Sequence, residues 1–227
     1  MPLININQLT DDLVRDTAGP TRPRPPAHPG PAPQLPGDPV RALAARTAVR
    51  QWTARPLHGD VLLRALHYAH EQDAHLWHPD HPDTPAPTAA VLVRNVTGIR
   101  PGYYHYEPRR PALLPQPQSL PDLQDLVLQL EFADAAAVVL VLGDLAAALT
   151  RDGAAGHRQL LSRGAAHAHA AWLAALSQGA AGTVFAGILS SAGRTELGID
   201  GFHRAQLLGL ALGVPPTAPD GPKEDSR

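Results

Sequence analysis

Residues 156–179 read GHRQLLSRGAAHAHAAWLAALSQG, and the fold turns on how this stretch is read. Leu161, Ala165, Ala168, Trp172 and Ala175 recur at steps of three or four. That spacing predicts a helix with these side chains along one apolar face. Arg163, His167 and Ser177 fall on the other side. Gly179 is a natural stop, because glycine accepts the left-handed backbone that ends helices. Gly164, Ala165, Ala166, Ala168, Ala170 and Ala171 are small enough to let other backbones come close. A long helix packed on more than one side is therefore expected, with the rest of the chain wrapped around it.

Upstream, residues 135–142 read AAAVVLVL, a continuous apolar run of strand length that predicts a buried central strand. Asp134 and Asp144 flank it as helix caps. Downstream, a short strand or loop over 183–188, a helix over 190–197 capped by Ser190 or Ser191, and an apolar strand over 205–212 are expected. On the N-terminal side, Asp38 caps a helix that has Pro39 at its first position. A second helix spans 59–72, with Val61, Leu62, Ala65, Leu66 and Ala69 inward. Residues 75–87 read as a loop, 89–93 and 103–106 as strands, and 111–121 as a proline-rich connector. A helix over 122–132 places Leu123, Leu126, Val127 and Leu130 on one face. Strands and helices without strict βαβ alternation give an α+β fold.

Three regions result. Residues 1–38 form an N-terminal arm, in which prolines at 20, 23, 25, 26, 29, 31, 33 and 36 favour an extended, solvated linker. Residues 39–214 form the folded domain, and 215–227 a mobile tail. A chain of 227 residues holds one domain with a core. A formal net charge of -2 argues against a nucleic-acid surface. The absence of cysteine excludes disulfides, thiolate metal sites and cysteine nucleophiles. No secretory signal and no membrane span is expected, and a cytoplasmic location is compatible with the thiol-free composition.

Arg46 and Arg50 lie four apart. If their segment is helical, both guanidinium groups reach one phosphate from the same side. The alternative is a pair of solvated arginines. His67, His70, His75, His78 and His81 invite a metal reading, but no fixed ligand motif accompanies them and no metal is expected. His167 and His169, two apart on the long helix, point to different faces. His169 is nearer the apolar stripe and is the candidate site residue of the two.

The order of RTAVRQW (46–52), PGYYHYEP (101–108), the 156–182 stretch, LGIDG (197–201) and LLGLALG (207–213) resembles the nitroreductase superfamily. Within it the chain is similar to the SagB-type dehydrogenases, flavin enzymes that oxidise azoline rings to azoles in ribosomal peptide natural products. The resemblance covers residues 39–213. It implies an α+β homodimer, with a mixed sheet flanked by helices, a long central helix near the two-fold axis, and FMN at the subunit interface. It implies that Arg46 and Arg50 hold the FMN phosphate and that residues 182–187 lie beside the flavin ring. By position it adds Gly187 and His169 as cofactor-binding residues; it assigns no catalytic residue. The chain departs from the family pattern at Ala48, where a serine is usual, at PAPTAA (85–90), at Arg151 and Asp152, and at Ala168 and His169. The implied function is an FMN-dependent oxidoreductase acting on a peptide or small natural-product intermediate, with a peptide substrate or a biosynthetic partner protein. The alternative is a flavin-free or inactive scaffold subunit of the same fold.

Overall fold

The computed structural model describes residues 31–44, 46–77 and 85–216. In chain order the elements are α1 (Pro39–Ala44), β1 (Leu57–His58), α2 (Gly59–Trp77), β2 (Thr88–Val93), β3 (Val96–Thr97), β4 (Gly102–Glu107) and β5 (Ala112–Pro115). There follow α3 (Leu123–Leu126), a 3-10 turn (Leu130–Asp134), β6 (Ala137–Gly143), α4 (Leu145–Ser177), β7 (Ala181–Phe185), α5 (Ser190–Leu197) and β8 (Ala205–Gly213).

The strand order is β5-β4-β2-β6-β8-β7, and each neighbouring pair in this sheet is antiparallel. Parallel pairing is confined to the two-residue ladder between β1 and β3. The apolar run of β6 sits at the centre, with all seven residues buried, between β2 and β8. Burial on both faces is why it carries no polar alternation.

Alternation on the flanking strands assigns the two faces. Val91, Val139, Leu210 and Leu212 pack with Leu62, Leu66, Trp172 and Ala175 of α2 and α4. Leu92, Val138, Leu140 and Ala211 pack with Leu123, Leu126, Phe132 and Leu197 on the opposite face. The long helix thus lies on one face of a sheet covered on both sides.

Several local expectations are met. Asp38 Oδ1 accepts from Val40 N at 2.9 Å and Arg41 N at 3.3 Å, capping α1. Asp144 caps α4 through Ala147 N at 2.8 Å. Gly179, just past the end of α4, has φ 85°.

Others are corrected. The long helix begins at Leu145 and is broken at Gly153, where φ 57° and ψ -140° are open to glycine but not to a residue with a side chain. Its buried face is also rotated from the predicted one. Leu161 and Ala165 are exposed, whereas Arg163 and His167 are buried. The helix expected over 122–132 stops at Leu126. Val127 adopts an extended φ of -106° and ψ of 140° and forms a β-bridge with Ile188. The proline-rich connector contains the edge strand β5, and α2 runs on to Trp77 through residues expected to be loop.

The described end of the arm is in contact with the fold. Gln72 Nε2 donates to Pro33 O at 3.1 Å, and Leu35 packs against the α2/α4 core.

Arg204, just ahead of β8, braces the opposite edge. It donates to Tyr103 Oη at 3.0 Å and to His105 Nε2 at 2.6 Å. Arginine is donor-only, so His105 Nε2 accepts. Burial and the Arg204 charge both hold the His105 pKa below its ordinary value.

Gly209 shows how tightly β8 is packed. A Cβ there would lie 2.6 to 3.0 Å from three ring atoms of Phe185, and that ring stacks on Phe132 at 4.4 Å. Gly209→Ala is therefore expected to lower stability by about 1–3 kcal/mol through overpacking. Urea denaturation measures it, and an unchanged midpoint would mean the ring can move aside.

Candidate functional site

Residues 46–53 leave α1 and cross β7 as irregular chain. Their path is fixed by hydrogen bonds. Thr183 Oγ1 donates to Val49 O at 2.7 Å. Thr53 N and Oγ1 both donate to Val214 O, at 3.0 and 3.1 Å. Trp52 Nε1 donates to Glu131 O at 3.0 Å. The helical geometry that would aim Arg46 and Arg50 at one point is not adopted here, and the two side chains have different neighbours.

Arg46 lies over the Trp172 ring, its guanidinium carbon 5.6 Å from the centroid. His169 meets the same indole edge-on, with centroids 6.2 Å apart. Partial burial, and then the charge of Arg46, push the His169 pKa below its ordinary value. Among the described residues no carboxylate pairs with Arg46. The Trp172 indole N–H is buried without an acceptor. An exposed cation stacked on an indole face with no carboxylate beside it favours an anionic or carbonyl-bearing ligand.

A cavity of about 240 Å³ opens beside this group, between α2 and α4. Tyr68, Asp73, Trp77, His167, His169 and Leu173 are among its walls. Behind it lies a buried ion pair. Arg163 Nε and Nη2 donate to Asp73 Oδ1 and Oδ2 at 2.7 and 2.6 Å. The Arg163 guanidinium also sits 5.8 Å from the Trp77 ring centroid. Both ring nitrogens of His167 are buried without a hydrogen-bond partner. Burial, as the main cause, depresses the His167 pKa to about 4.

The structure therefore joins Arg46 and His169 through Trp172. Arg50 is elsewhere, with Nη1 3.3 Å from Glu131 Oε1 in an exposed pair. Gly187 follows β7 and accepts from Leu128 N at 2.8 Å; a Cβ on it would collide with Gln129 Oε1. Sequence reasoning missed Asp73, Arg163 and His167 as a group, and it took Trp172 for core alone. A signal for Asp73 was present. It continues the buried series Leu62, Leu66, Ala69 of α2, and an acid on such a stripe requires a cationic partner.

Among the described residues no group of three or more histidines or carboxylates is arranged to hold a metal ion. His67 Nδ1 lies 3.3 Å from Tyr106 Oη. His78 and His81 fall outside the described residues. No described helix is long and apolar enough to cross a membrane.

No protein-family model matches the sequence, and no curated protein matches it. Solved structures do. A protein from Anabaena variabilis assigned to the nitroreductases superposes with a TM-score of 0.64 at 24% identity, covering 77% of this chain. This chain spans only 37% of that protein's length. A protein from Desulfovibrio desulfuricans assigned to the nitroreductases, solved in complex with FMN, gives 0.54 at 15% identity, covering 83% of this chain and 90% of its own. A chain of the E. coli microcin synthetase McbBCD complex, solved with truncated pro-MccB17 bound, gives 0.53 at 17% identity, covering 92% of each. An antiparallel six-stranded sheet with a long helix on one face and short helices on the other is thus shared with these proteins, and the fold of this chain is the nitroreductase fold.

Proposed function

We propose that this chain is an FMN-dependent oxidoreductase of the nitroreductase superfamily, a divergent member on the SagB-type side, and that it acts as a homodimer. The observation that carries the reading is the unpaired Arg46 on Trp172, beside His169 and the orphaned indole N–H. These residues fit FMN. Arg46 would hold the phosphate or a ring carbonyl, Trp172 would offer an apolar wall, and His169 would lie at the polar edge. Ala48 supplies no hydroxyl to a phosphate. Arg50 would have to exchange Glu131 for the phosphate, which is cheap for an exposed pair. Bound FMN supplies hydride and single-electron chemistry.

Size supports a dimer. A cavity of about 240 Å³ is below the roughly 300–1,000 Å³ of ordinary ligand sites. The exposed small residues Ala165 and Ala166 of α4, the second of which lines this cavity, would let a second copy pack closely. The bound peptide of the microcin synthetase complex supports a peptide or small natural-product intermediate as substrate.

Absorption spectra and FMN titration of the purified protein test the reading. Arg46→Ala is expected to weaken FMN by about 1.5–3 kcal/mol, the scale of a hydrogen bond to a charged group. A colourless protein that takes up no added FMN would overturn it. That outcome would favour the second reading, a flavin-free scaffold subunit, whose own support is that Glu131 already neutralises Arg50. Sedimentation decides the oligomeric state separately.

A further inference from the structure

A second cleft, of about 270 Å³, lies between the part of α4 beyond its Gly153 break, the chain leaving β7, and α5. Its polar lining is one-sided in charge. Arg194, His157 and Gln206 face it, and no carboxylate is among its lining residues. Leu145, Leu161, Ile188 and Leu207 add aliphatic patches to a largely polar surface.

Glu196, two residues from Arg194 on α5, is exposed and does not line the cleft, and Asp144 and Asp200 are engaged. Asp144 caps α4 and lies 3.6 Å from His203. Asp200 accepts from the backbone N–H groups of Phe202 and Arg204, at 2.8 and 2.9 Å, and those bonds hold its pKa low. Arg194 has no ion-pair partner among the described residues. Its guanidinium lies beside Gly201, where a Cβ would meet Nη2 at an ordinary contact distance of 3.7 Å.

We propose that this cleft is a binding site for a small carboxylate with an apolar body. A guanidinium matches a carboxylate in two parallel hydrogen bonds, which an imidazole and an amide can supplement. The aliphatic patches then take the hydrocarbon part, which an inorganic anion would leave without a partner. No group of the Arg46–Trp172–His169 cluster lines it. Ala186 and Ile188 line it on either side of Gly187, so its ligand would sit against the loop that follows β7.

The test is ligand-observed NMR or calorimetry on the full chain at low salt and pH 7, with hexanoate, 1-hexanol, hexylamine and inorganic phosphate as probes. Hexanoate is expected to bind at least ~10-fold tighter than hexanol or phosphate, the scale of one charged hydrogen bond. Arg194→Gln should abolish that preference and Arg194→Lys should keep part of it. Arg194→Glu should reverse it, so that hexylamine binds better than hexanoate. Arg194 is exposed, so these variants should fold, and exposed Arg110→Gln serves as the unchanged control. Equal binding of hexanoate and hexanol, phosphate binding as tightly as hexanoate, or a preference that survives Arg194→Gln would each overturn the proposal.

Discussion

Asp73→Ala is expected to lower the unfolding free energy by about 3–5 kcal/mol, the scale for breaking a buried ion pair from one side. The side chains of Arg163 and Asp73 are 2% and 4% exposed, and both carboxylate oxygens are used by the guanidinium. Arg163 also donates to Pro85 O at 3.4 Å and lies near the Trp77 ring, but neither group carries a formal negative charge. A buried arginine cannot shed its proton, so losing the Asp73 carboxylate must be offset by new solvation at the expense of α2/α4 packing. Against a usual total of about 5–15 kcal/mol, the loss is large. The double variant Asp73→Leu/Arg163→Met should regain most of it, because the apolar replacements leave no charge to solvate. Urea unfolding of the single and double variants measures both. A single-variant loss below about 1 kcal/mol would mean that water reaches the pair.

The same pair shows where the sequence was readable and where it was not. The β6 strand could be read because seven buried residues in a row admit few other readings. Asp38 and Pro39 marked a helix start by local chemistry alone. The long helix was legible as a helix, but its buried face was not. Alanines on every side make several stripes equally apolar, and the choice among them is made by Asp73, ninety residues away in sequence. Leu161 looked like core and is 39% exposed, while Arg163 looked like surface and is 2% exposed. The break at Val127 was hidden because its cause, a bridge to Ile188, is tertiary. β5 was hidden because prolines are tolerated at a sheet edge, where one side of the strand makes no ladder bonds.

The candidate site divides along the same line. Arg46 and His169 could be named from position. Their junction, Trp172, could not, since nothing in the sequence separates a packed indole from one that carries a guanidinium on its face. Gly187 and Arg50 were named with them, but the structure gives each its own neighbours: Leu128 and Gln129 for one, Glu131 for the other. A reading by motif order assumes that residues of one motif share one destination. Residues 46–53 show why that can fail, because irregular chain lacks the helical turn that would bring side chains four apart to one point.

His167 supplies the second large effect, as a pH dependence. Its folded pKa is about 4, against 6.5 for the free side chain. Desolvation is the leading cause; the Asp73 charge works against it, while His70 on α2 and Arg163 on α4 add to the lowering. With the folded pKa depressed, the unfolded chain takes up the proton first as pH falls. The stability associated with neutral His167 is therefore complete above about pH 6.5 and is lost progressively as pH drops toward 4, where it amounts to about 3 kcal/mol. Other groups titrate over the same range, so the informative quantity is the difference between the wild type and His167→Leu. That difference should rise in favour of the leucine variant by about 3 kcal/mol between pH 7 and pH 4. At pH 7 the substitution itself should be nearly neutral or stabilising, because it removes two buried nitrogens that have no partner. The ring resonances of His167 provide an independent check and should not titrate above pH 5. A difference curve that stays flat from pH 7 to 4 would mean that the folded ring is protonated as readily as the unfolded one. In that case water or a second copy reaches the cavity between α2 and α4 and gives His167 the hydrogen-bond partner it lacks within this chain.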